Sequence, residues 1–310
     1  MSGGSAPALR SRDVISILSA LLTLAVFVSL HGCASEGGGA EAPTAGRETA
    51  GVEPTPPRPD EGIPLGPDRL AERLRSTRDS LHRAIDRWRA GTERRERAPR
   101  EVTLYALHQQ RIYVLLTSRE KLARAVRARL RGADAAEARD TLAARRRLSS
   151  LASPVPRRRF RTGPALPAAV LQRYYRKAER RFGVSWKVLA AVNLVESAFG
   201  RVRNKSTAGA RGPMQFIPST WEAYGMGGDV DDPRDAIMGA ANYLRASGAP
   251  ESYRRALYAY NPSRSYVDAV LRYASRMRHD RRAYFAFHSW QVFVHTPSGI
   301  RRITGPGITP

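Results

Sequence analysis

Glu196 is the residue of this sequence whose position best suits acid–base chemistry. It lies near the end of a predicted helix, Trp186–Phe199, four residues after Val192 and seven after Leu189. This spacing places its carboxyl group on the apolar face of the helix. Burial disfavours the ionised form of a carboxyl group and raises its pKa, so a glutamic acid can stay protonated for general-acid catalysis near neutral pH. A buried glutamate paired with one of the many arginines fits the same helix, so the helix alone leaves both interpretations open.

Two later stretches of the sequence favour the catalytic interpretation. Glu196-Ser-Ala-Phe-Gly-Arg201 is followed by Ser206-Thr-Ala-Gly-Ala-Arg-Gly-Pro-Met-Gln215 and then by Ala259-Tyr-Asn261. In this order and with this spacing, the three stretches resemble the signature of the lytic transglycosylase SLT domain. That family has a lysozyme-like α fold and cleaves bacterial peptidoglycan. The resemblance covers about residues 166–277, and it implies an all-α fold with a lysozyme-like catalytic domain.

The resemblance also implies a role for each matching residue. Glu196 becomes the single catalytic acid and base. The residues that match family positions in contact with the sugar, the glutamate or the cleft wall are Ser206, Met214, Gln215 and Tyr260, with Asn261 in the structural turn that follows. The Tyr260 hydroxyl is expected to hydrogen-bond either Glu196 or an N-acetyl group of the substrate.

The implied reaction is cleavage of the MurNAc–GlcNAc β-1,4 bond of glycan strands with formation of 1,6-anhydro-MurNAc ends. Ordinary glycosidases need two carboxylates. An intramolecular attack by the 6-hydroxyl of muramic acid needs only one acid that later acts as base. The acidic cluster Asp229, Asp231, Asp232 and Asp235 is interpreted as the start of a helix over 236–244, with acid in the first turn. Two alternatives stay open, a hydrolytic muramidase of the same fold and a non-catalytic wall-binding lipoprotein.

The first residues predict an export signal. Arg10 and Arg12 precede an apolar run, Val14–Leu30, and Leu30-His-Gly-Cys33 resembles the lipobox of bacterial lipoproteins. Lipidation of Cys33 would anchor the chain to a bacterial membrane on its extracytoplasmic side, and an uncleaved anchor helix would also leave the rest of the chain outside the cytoplasm. Either location argues against nucleic acid as a partner.

Composition narrows the function further. The 310 residues carry 52 Lys+Arg against 28 Asp+Glu, a formal net charge of +24, which favours an anionic partner such as a membrane face or an acidic polymer. A single cysteine excludes an intrachain disulfide framework and a cysteine-based zinc site. His288 and His295 are too isolated to predict a metal site, and we expect no cofactor.

The chain divides into five predicted segments. They are a signal peptide with lipobox (1–33), a Gly- and Pro-rich tether (34–66), a helical spacer (67–155), the catalytic domain (165–280) and a tail (281–310) with a β-hairpin around 296–299. Three amphipathic helices are expected in the spacer, with Arg145, Arg146 and Arg147 on a solvated face.

Local signals around the site predict loop geometry. Gly209 and Gly212 would allow the backbone of the 201–213 loop to approach a ligand. Ser219 and Glu222 have the spacing of a helix capping box. Phe199 and Trp221 are interpreted as packing residues.

Overall fold

The computed structural model describes residues 55–91, 97–156 and 160–308. Cys33, the predicted signal peptide and most of the predicted tether lie outside the described residues. The described part forms eleven helices and one hairpin, namely α1 (Pro67–Ala90), α2 (Arg100–Ser118), α3 (Glu120–Arg129), α4 (Gly132–Ser149), α5 (Ala168–Phe182), α6 (Trp186–Ser197), α7 (Pro218–Tyr224), α8 (Pro233–Ala246), α9 (Tyr253–Tyr260), α10 (Arg264–His279), α11 (Arg282–Ser289), β1 (Phe293–Thr296) and β2 (Gly299–Arg302). The all-α expectation, with a short C-terminal hairpin, is confirmed.

The segment 67–149 forms four helices where the sequence predicted three. The apolar stripe interpreted as one helix is interrupted at Arg119, whose φ of −114° and ψ of 80° are not helical. The break lets α3 turn and pack against α1 as well as α2. A periodicity count cannot detect such a turn, because the apolar residues recur on both sides of it.

The helices before and after residue 155 share one hydrophobic core. The α4 helix packs along α10, α10 packs along α6, and the core extends from Leu70 of α1 to Trp290 after α11. The helices that carry the candidate site are therefore supported directly by the preceding helices. The role of 67–155 as a spacer stays a prediction.

Arg145 contradicts the solvated face predicted for the arginines of α4. Its side chain is 2% exposed, whereas Arg147 is exposed as expected. Arg145 lies three residues after Leu142 and three before Leu148, which are both buried. Those spacings place all three on the inward face of α4. Three consecutive arginines are spread around more of the helix circumference than the polar face covers. At least one of them must therefore point inward.

A buried ionic cluster joins four helices. The Glu137 carboxylate of α4 accepts hydrogen bonds from Arg78 Nε (3.1 Å), Gln109 Nε2 (2.7 Å) and Tyr113 Oη (3.3 Å), and pairs with Arg276 of α10 at 3.5 Å. Because these partners lie on α1, α2 and α10, the cluster fixes the position of α10 relative to the first helices.

The predicted hairpin is present. Its strands pair antiparallel from Phe293–Arg302 to Thr296–Gly299, with a two-residue loop between them. Val294 is fully buried in a small second core with Val202, which follows α6. The tail therefore packs beside the loop that leaves the candidate site.

Among the described helices, none combines the length and the apolarity needed to cross a bilayer.

Candidate active site

Glu196 lies in the last turn of α6 and points inward. Its side chain is 5% exposed, and its Oε1 accepts a hydrogen bond of 2.7 Å from Tyr266 Oη on α10. Among the described residues no arginine or lysine forms an ion pair with it, so the arginine-paired alternative does not describe this glutamate. The inward orientation expected from the helical spacing is observed.

Burial raises the pKa of Glu196 to about 8. The cause is loss of solvation of the carboxylate, and the Tyr266 hydrogen bond opposes it because a hydroxyl donor stabilises the ionised form. The carboxyl group is therefore mostly protonated at neutral pH. A group in this state can donate a proton and then serve as a base.

Two neighbours of Glu196 attach the following loop to α6. Ser197 Oγ and Asn193 Nδ2 each donate to the carbonyl oxygen of Pro213 at 2.6 Å. Asn193 in turn accepts a 2.5 Å hydrogen bond from Tyr175 Oη. These contacts hold the segment before Gln215 close to the end of the helix that carries the acid.

The helix ends at Ser197, two residues before the predicted end. Ala198 and Phe199 adopt the left-handed conformation, with φ of 51° and 62°. Non-glycine residues rarely adopt this conformation, and it is concentrated at functional sites. Phe199 then packs edge-on against Tyr284, as a packing residue should.

Gly212 approaches protein backbone and not open space. A Cβ atom at this position would lie 1.9 Å from the carbonyl oxygen of Val230, and the φ of Gly212 is +76°. Gly209, also at positive φ, has nothing within 4 Å of the point that a Cβ atom would occupy. Gly212 therefore allows the loop to pack closely on the segment before α8, and not, as predicted, to approach a ligand.

The candidate binding residues Gln215 and Ser206 stabilise this loop. Gln215 has a φ of +51°, and its Nε2 donates to the carbonyl oxygen of Gly212 at 3.0 Å. Ser206 Oγ accepts a 3.0 Å hydrogen bond from the backbone N–H of Ala210. Both side chains are half-buried.

Tyr260 does not hydrogen-bond Glu196. Its hydroxyl donates to the backbone oxygen of Met214 at 2.6 Å. Met214 is fully buried and Asn261 is 6% exposed, at the C-terminal cap of α9. The pKa of Tyr260 is raised by burial first and by the Glu196 carboxylate second, so the two side chains interact electrostatically.

Tyr266 is the site residue that the sequence reasoning missed. None of the sequence motifs includes it, yet it is fully buried and its hydroxyl donates the hydrogen bond to Glu196. A signal exists in hindsight. One inward-facing stripe of α10 contains Tyr266, Val270 and Tyr273. The hydroxyl of a buried tyrosine usually forms a hydrogen bond.

Half-buried aromatic rings continue from Tyr260 across the surface. The ring centroid of Tyr243 lies 5.6 Å from that of Tyr260 and 4.7 Å from that of Tyr224. Tyr260 also packs against Phe216, which contacts Trp221. The site therefore has an aromatic wall next to its acid.

The aspartates near α8 have structural roles, as predicted. Asp232 caps the helix by accepting from the N–H groups of Arg234 and Asp235. Asp235 accepts from the N–H of Asp229 at 3.2 Å, and Asp229 accepts from that of Asp231 at 2.9 Å.

The capping box predicted at Ser219 is wrong. Helix α7 begins at Pro218, its N-cap is Ile217 and no side chain caps it. Proline is favoured at the first helical position, and this places Ser219 inside the helix, where it lies too late to cap.

Within the described ranges, no group of His, Cys, Asp and Glu side chains could hold a metal ion. His288 is buried with Nε2 at 2.9 Å from the carbonyl oxygen of Leu166, and burial lowers its pKa to about 3. It is a neutral packing residue.

Comparisons with known proteins identify relatives of the segment that carries the candidate site. Residues 173–281 match the family model described as "Transglycosylase SLT domain". The chain is similar to "Membrane-bound lytic murein transglycosylase F" of Thiobacillus denitrificans, with 29% identity over 112 residues. The match covers 34% of this chain and 23% of that relative, so the chain spans about a quarter of the relative's length. No solved structure matches the chain significantly. The segment 173–281, which carries the buried Glu196 and its tyrosine partner, belongs to the transglycosylase SLT domain family.

Proposed function

We propose that this protein is a peptidoglycan lytic transglycosylase that cleaves the MurNAc–GlcNAc β-1,4 bond and leaves 1,6-anhydro-MurNAc ends. The observation that carries the proposal is a single buried glutamic acid with a pKa of about 8 inside a segment of the SLT family. Glu196 is the proposed general acid and then the general base.

In the first step, protonated Glu196 donates its proton to the glycosidic oxygen as the bond to the anomeric carbon breaks. Tyr266 occupies Oε1, so Oε2 is the oxygen we assign to proton transfer. The carboxylate that forms keeps the hydrogen bond from Tyr266, which stabilises the new charge in a poorly solvated site.

In the second step, the Glu196 carboxylate removes the proton of the muramic acid 6-hydroxyl, whose oxygen attacks the anomeric carbon. Glu196 thereby regains the proton that it lost in the first step. The broken glycosidic bond is replaced by the new bond between the 6-oxygen and the anomeric carbon. The attack is intramolecular, so it proceeds at a high effective concentration without a second carboxylate.

Substrate contacts are assigned to the loop and the aromatic wall. We propose that Gln215, Ser206 and Tyr260 face the sugar, since they match family positions that contact it and each is only half-buried. The buried Met214 and Asn261 are proposed to position Tyr260, because Met214 binds its hydroxyl and Asn261 ends its helix.

We also propose an extracytoplasmic location with a lipid anchor on Cys33. The lipobox-like sequence supports the anchor, and the relative from Thiobacillus denitrificans is named as membrane-bound. The tether would carry the catalytic segment from the membrane to the wall.

The decisive experiment digests purified sacculi with the full chain and identifies the released sugars by mass spectrometry. We expect anhydro-MurNAc products from the wild type and from Glu222→Gln, a control at an exposed glutamate, and none from Glu196→Gln. Reducing ends would identify a hydrolytic muramidase. Sedimentation of the wild type with sacculi without any release would identify a wall-binding protein.

A further inference from the structure

Four cations form a stripe along the outer face of α5. Arg173, Arg176, Lys177 and Arg180 have the spacing i, i+3, i+4 and i+7, which places them on one face of the helix, and all four are exposed. The buried residues of α5 lie on the opposite face. Like charges at these spacings repel each other, so the stripe destabilises the helix that carries it.

The stripe lines a surface groove. Arg234, in the first turn of α8, lines the groove together with the four cations of α5, and none of its lining residues among those described is a carboxylate. The groove offers about 650 Å³ to the centres of water-sized molecules. Because the five cations are exposed, a ligand can reach them from solvent. We call this feature, lined by Arg173, Arg176, Lys177, Arg180 and Arg234, the α5 groove.

Most donors of the α5 groove have no partner within the protein. Arg176 pairs with Glu179 at 3.3 Å, and that carboxylate also accepts from the backbone N–H of Trp186 at 3.1 Å. Among the described residues, the side chains of the other four cations form no hydrogen bond or ion pair. Their N–H groups are therefore available to an external acceptor.

The α5 groove differs in charge from the two grooves beside α1. Arginines line those grooves too, but Glu72 lines both of them, and each contains an ion pair, Arg73–Glu61 in one and Arg129–Asp68 in the other. In the α5 groove no lining carboxylate compensates the positive charge. Such a surface attracts an anionic partner.

The α5 groove faces away from the candidate active site. The inward face of α5 contacts α6 through Tyr175, whose hydroxyl binds Asn193, about one turn before Glu196. The stripe lies on the opposite face of the same helix. A partner in the groove would therefore contribute to binding without contacting the acid.

The size and chemistry of the α5 groove suit a short chain that bears carboxylates. The stripe extends over seven residues, about 10 Å at 1.5 Å per residue, which is the length of about three residues of an extended peptide. Guanidinium groups bind carboxylates through two parallel hydrogen bonds. A bilayer presents a flat anionic surface, whereas these cations line a concave one.

We propose that the α5 groove binds the acidic peptide stems of peptidoglycan and attaches the protein to the wall at a distance from the bond that is cleaved. This inference rests on the proposed function, which supplies the wall as substrate. Stem peptides carry free carboxylates on side chains and at chain ends, so one stem can pair with several cations. Each exposed ion pair is weak, but pairs made by one chain reinforce each other.

The test is co-sedimentation of the full chain with purified sacculi, in a Glu196→Gln background that prevents digestion. The groove variant replaces three exposed cations of α5, namely Arg173→Gln, Lys177→Gln and Arg180→Gln. The control variant replaces exposed cations of the same types on α3, namely Lys121→Gln, Arg124→Gln and Arg127→Gln. We expect the groove variant to bind about tenfold more weakly and the control variant to bind within about twofold of the parent.

Modified walls and vesicles identify the partner. Sacculi with their carboxylates converted to amides, and glycan strands freed of peptides by an amidase, should each bind the parent chain about tenfold more weakly than intact sacculi do. Vesicles of phosphatidylglycerol and phosphatidylcholine test whether the groove binds a membrane surface instead.

The inference is overturned if the groove variant binds intact sacculi as tightly as the control variant does, or if either modified wall binds the parent as well as intact sacculi do. It is also overturned if the groove substitutions weaken binding only to vesicles. If the groove variant does not fold, the comparison of intact and modified walls decides alone. Failure of the proposed function has a separate signature, the absence of anhydro products from the wild type, because this assay measures binding by a chain without the acid.

Discussion

At the scale of single residues, the properties of the site follow from the solvation of one carboxyl group. Glu196 is buried, so its ionised form is disfavoured, and one tyrosine hydroxyl moderates the effect. The reaction proposed for this group requires the protonated form first and the ionised form second. A pKa near the working pH serves both steps.

We predict a decline of activity at alkaline pH. The pKa of Glu196 is about 8, so above that pH the free enzyme loses the proton that the first step needs. The value of kcat/KM for release of anhydro products should fall about tenfold per pH unit above this point. A profile that already declines between pH 5 and 6 would contradict the assignment.

We predict that Tyr266→Phe raises the pKa of Glu196. The hydrogen bond that this substitution removes stabilises the ionised form of Glu196. Such bonds contribute roughly 1.5 kcal/mol or more, which corresponds to about one pKa unit. The activity should fall roughly tenfold, and the alkaline decline should move to higher pH. NMR titration of the Glu196 carboxyl carbon measures the shift. Tyr258→Phe, at a tyrosine that is 48% exposed, should change neither quantity.

At the scale of elements, the site depends on how α6, α10 and the loop before α7 are held together. The α6 helix supplies the acid and α10 supplies its hydroxyl donor. The loop is attached to α6 by the two hydrogen bonds to the Pro213 carbonyl oxygen. A substitution that shifts any of these elements should alter the geometry of the site, even where the substituted residue does not contact the site.

We predict that Gly212→Ala destabilises the protein more than Gly209→Ala. Both glycines have positive φ, so each substitution strains the backbone by about 1–2 kcal/mol. Only at position 212 does the new methyl group also collide with backbone, at the carbonyl oxygen of Val230. Chemical denaturation of both variants measures the difference. Equal losses of stability would show that the loop adjusts without cost.

We predict that Glu137→Gln destabilises the protein by about 3–5 kcal/mol, because the buried guanidinium of Arg276 would lose its carboxylate partner, whereas Arg78 would keep Asp134 at 3.1 Å. Urea denaturation measures the loss, with Glu222→Gln as the exposed control. A loss below that of the control would mean that water replaces the carboxylate.

At the scale of the whole molecule, the first four helices and the last seven form one core. The stability of the folded protein should therefore depend on the ionisation of Glu196, which is buried in this core. The pKa of Glu196 is higher in the folded protein than in the unfolded chain, where it is near 4.5. Its contribution to stability is therefore fully present below pH 4.5, and it is lost as the pH rises through 8.

We predict that Glu196→Gln is more stable than the wild type at pH 8, by roughly 4 kcal/mol, and about equally stable at pH 4. The amide keeps the shape of the protonated acid and cannot ionise. Denaturation at both pH values measures the difference, and a constant difference between the two would contradict the raised pKa.

The sequence by itself determined the orientation of the candidate acid. Helical spacing places Glu196 on an inward face, and the three matching stretches indicate the family, because both depend on local geometry. The sequence also predicted the start of α8, the hairpin and the packing role of Phe199. Turn residues and helix caps act over a few positions, so their effects can be predicted from short stretches of sequence.

Only the tertiary structure decided which groups meet. The partner of Glu196 is Tyr266, seventy positions later in the chain, and Tyr260 binds Met214 instead. The same holds for Arg145, whose burial depends on α2, α10 and Trp290 closing over an arginine-rich helix. Contacts between distant segments depend on how helices cross, and periodicity within one helix carries no information about that crossing.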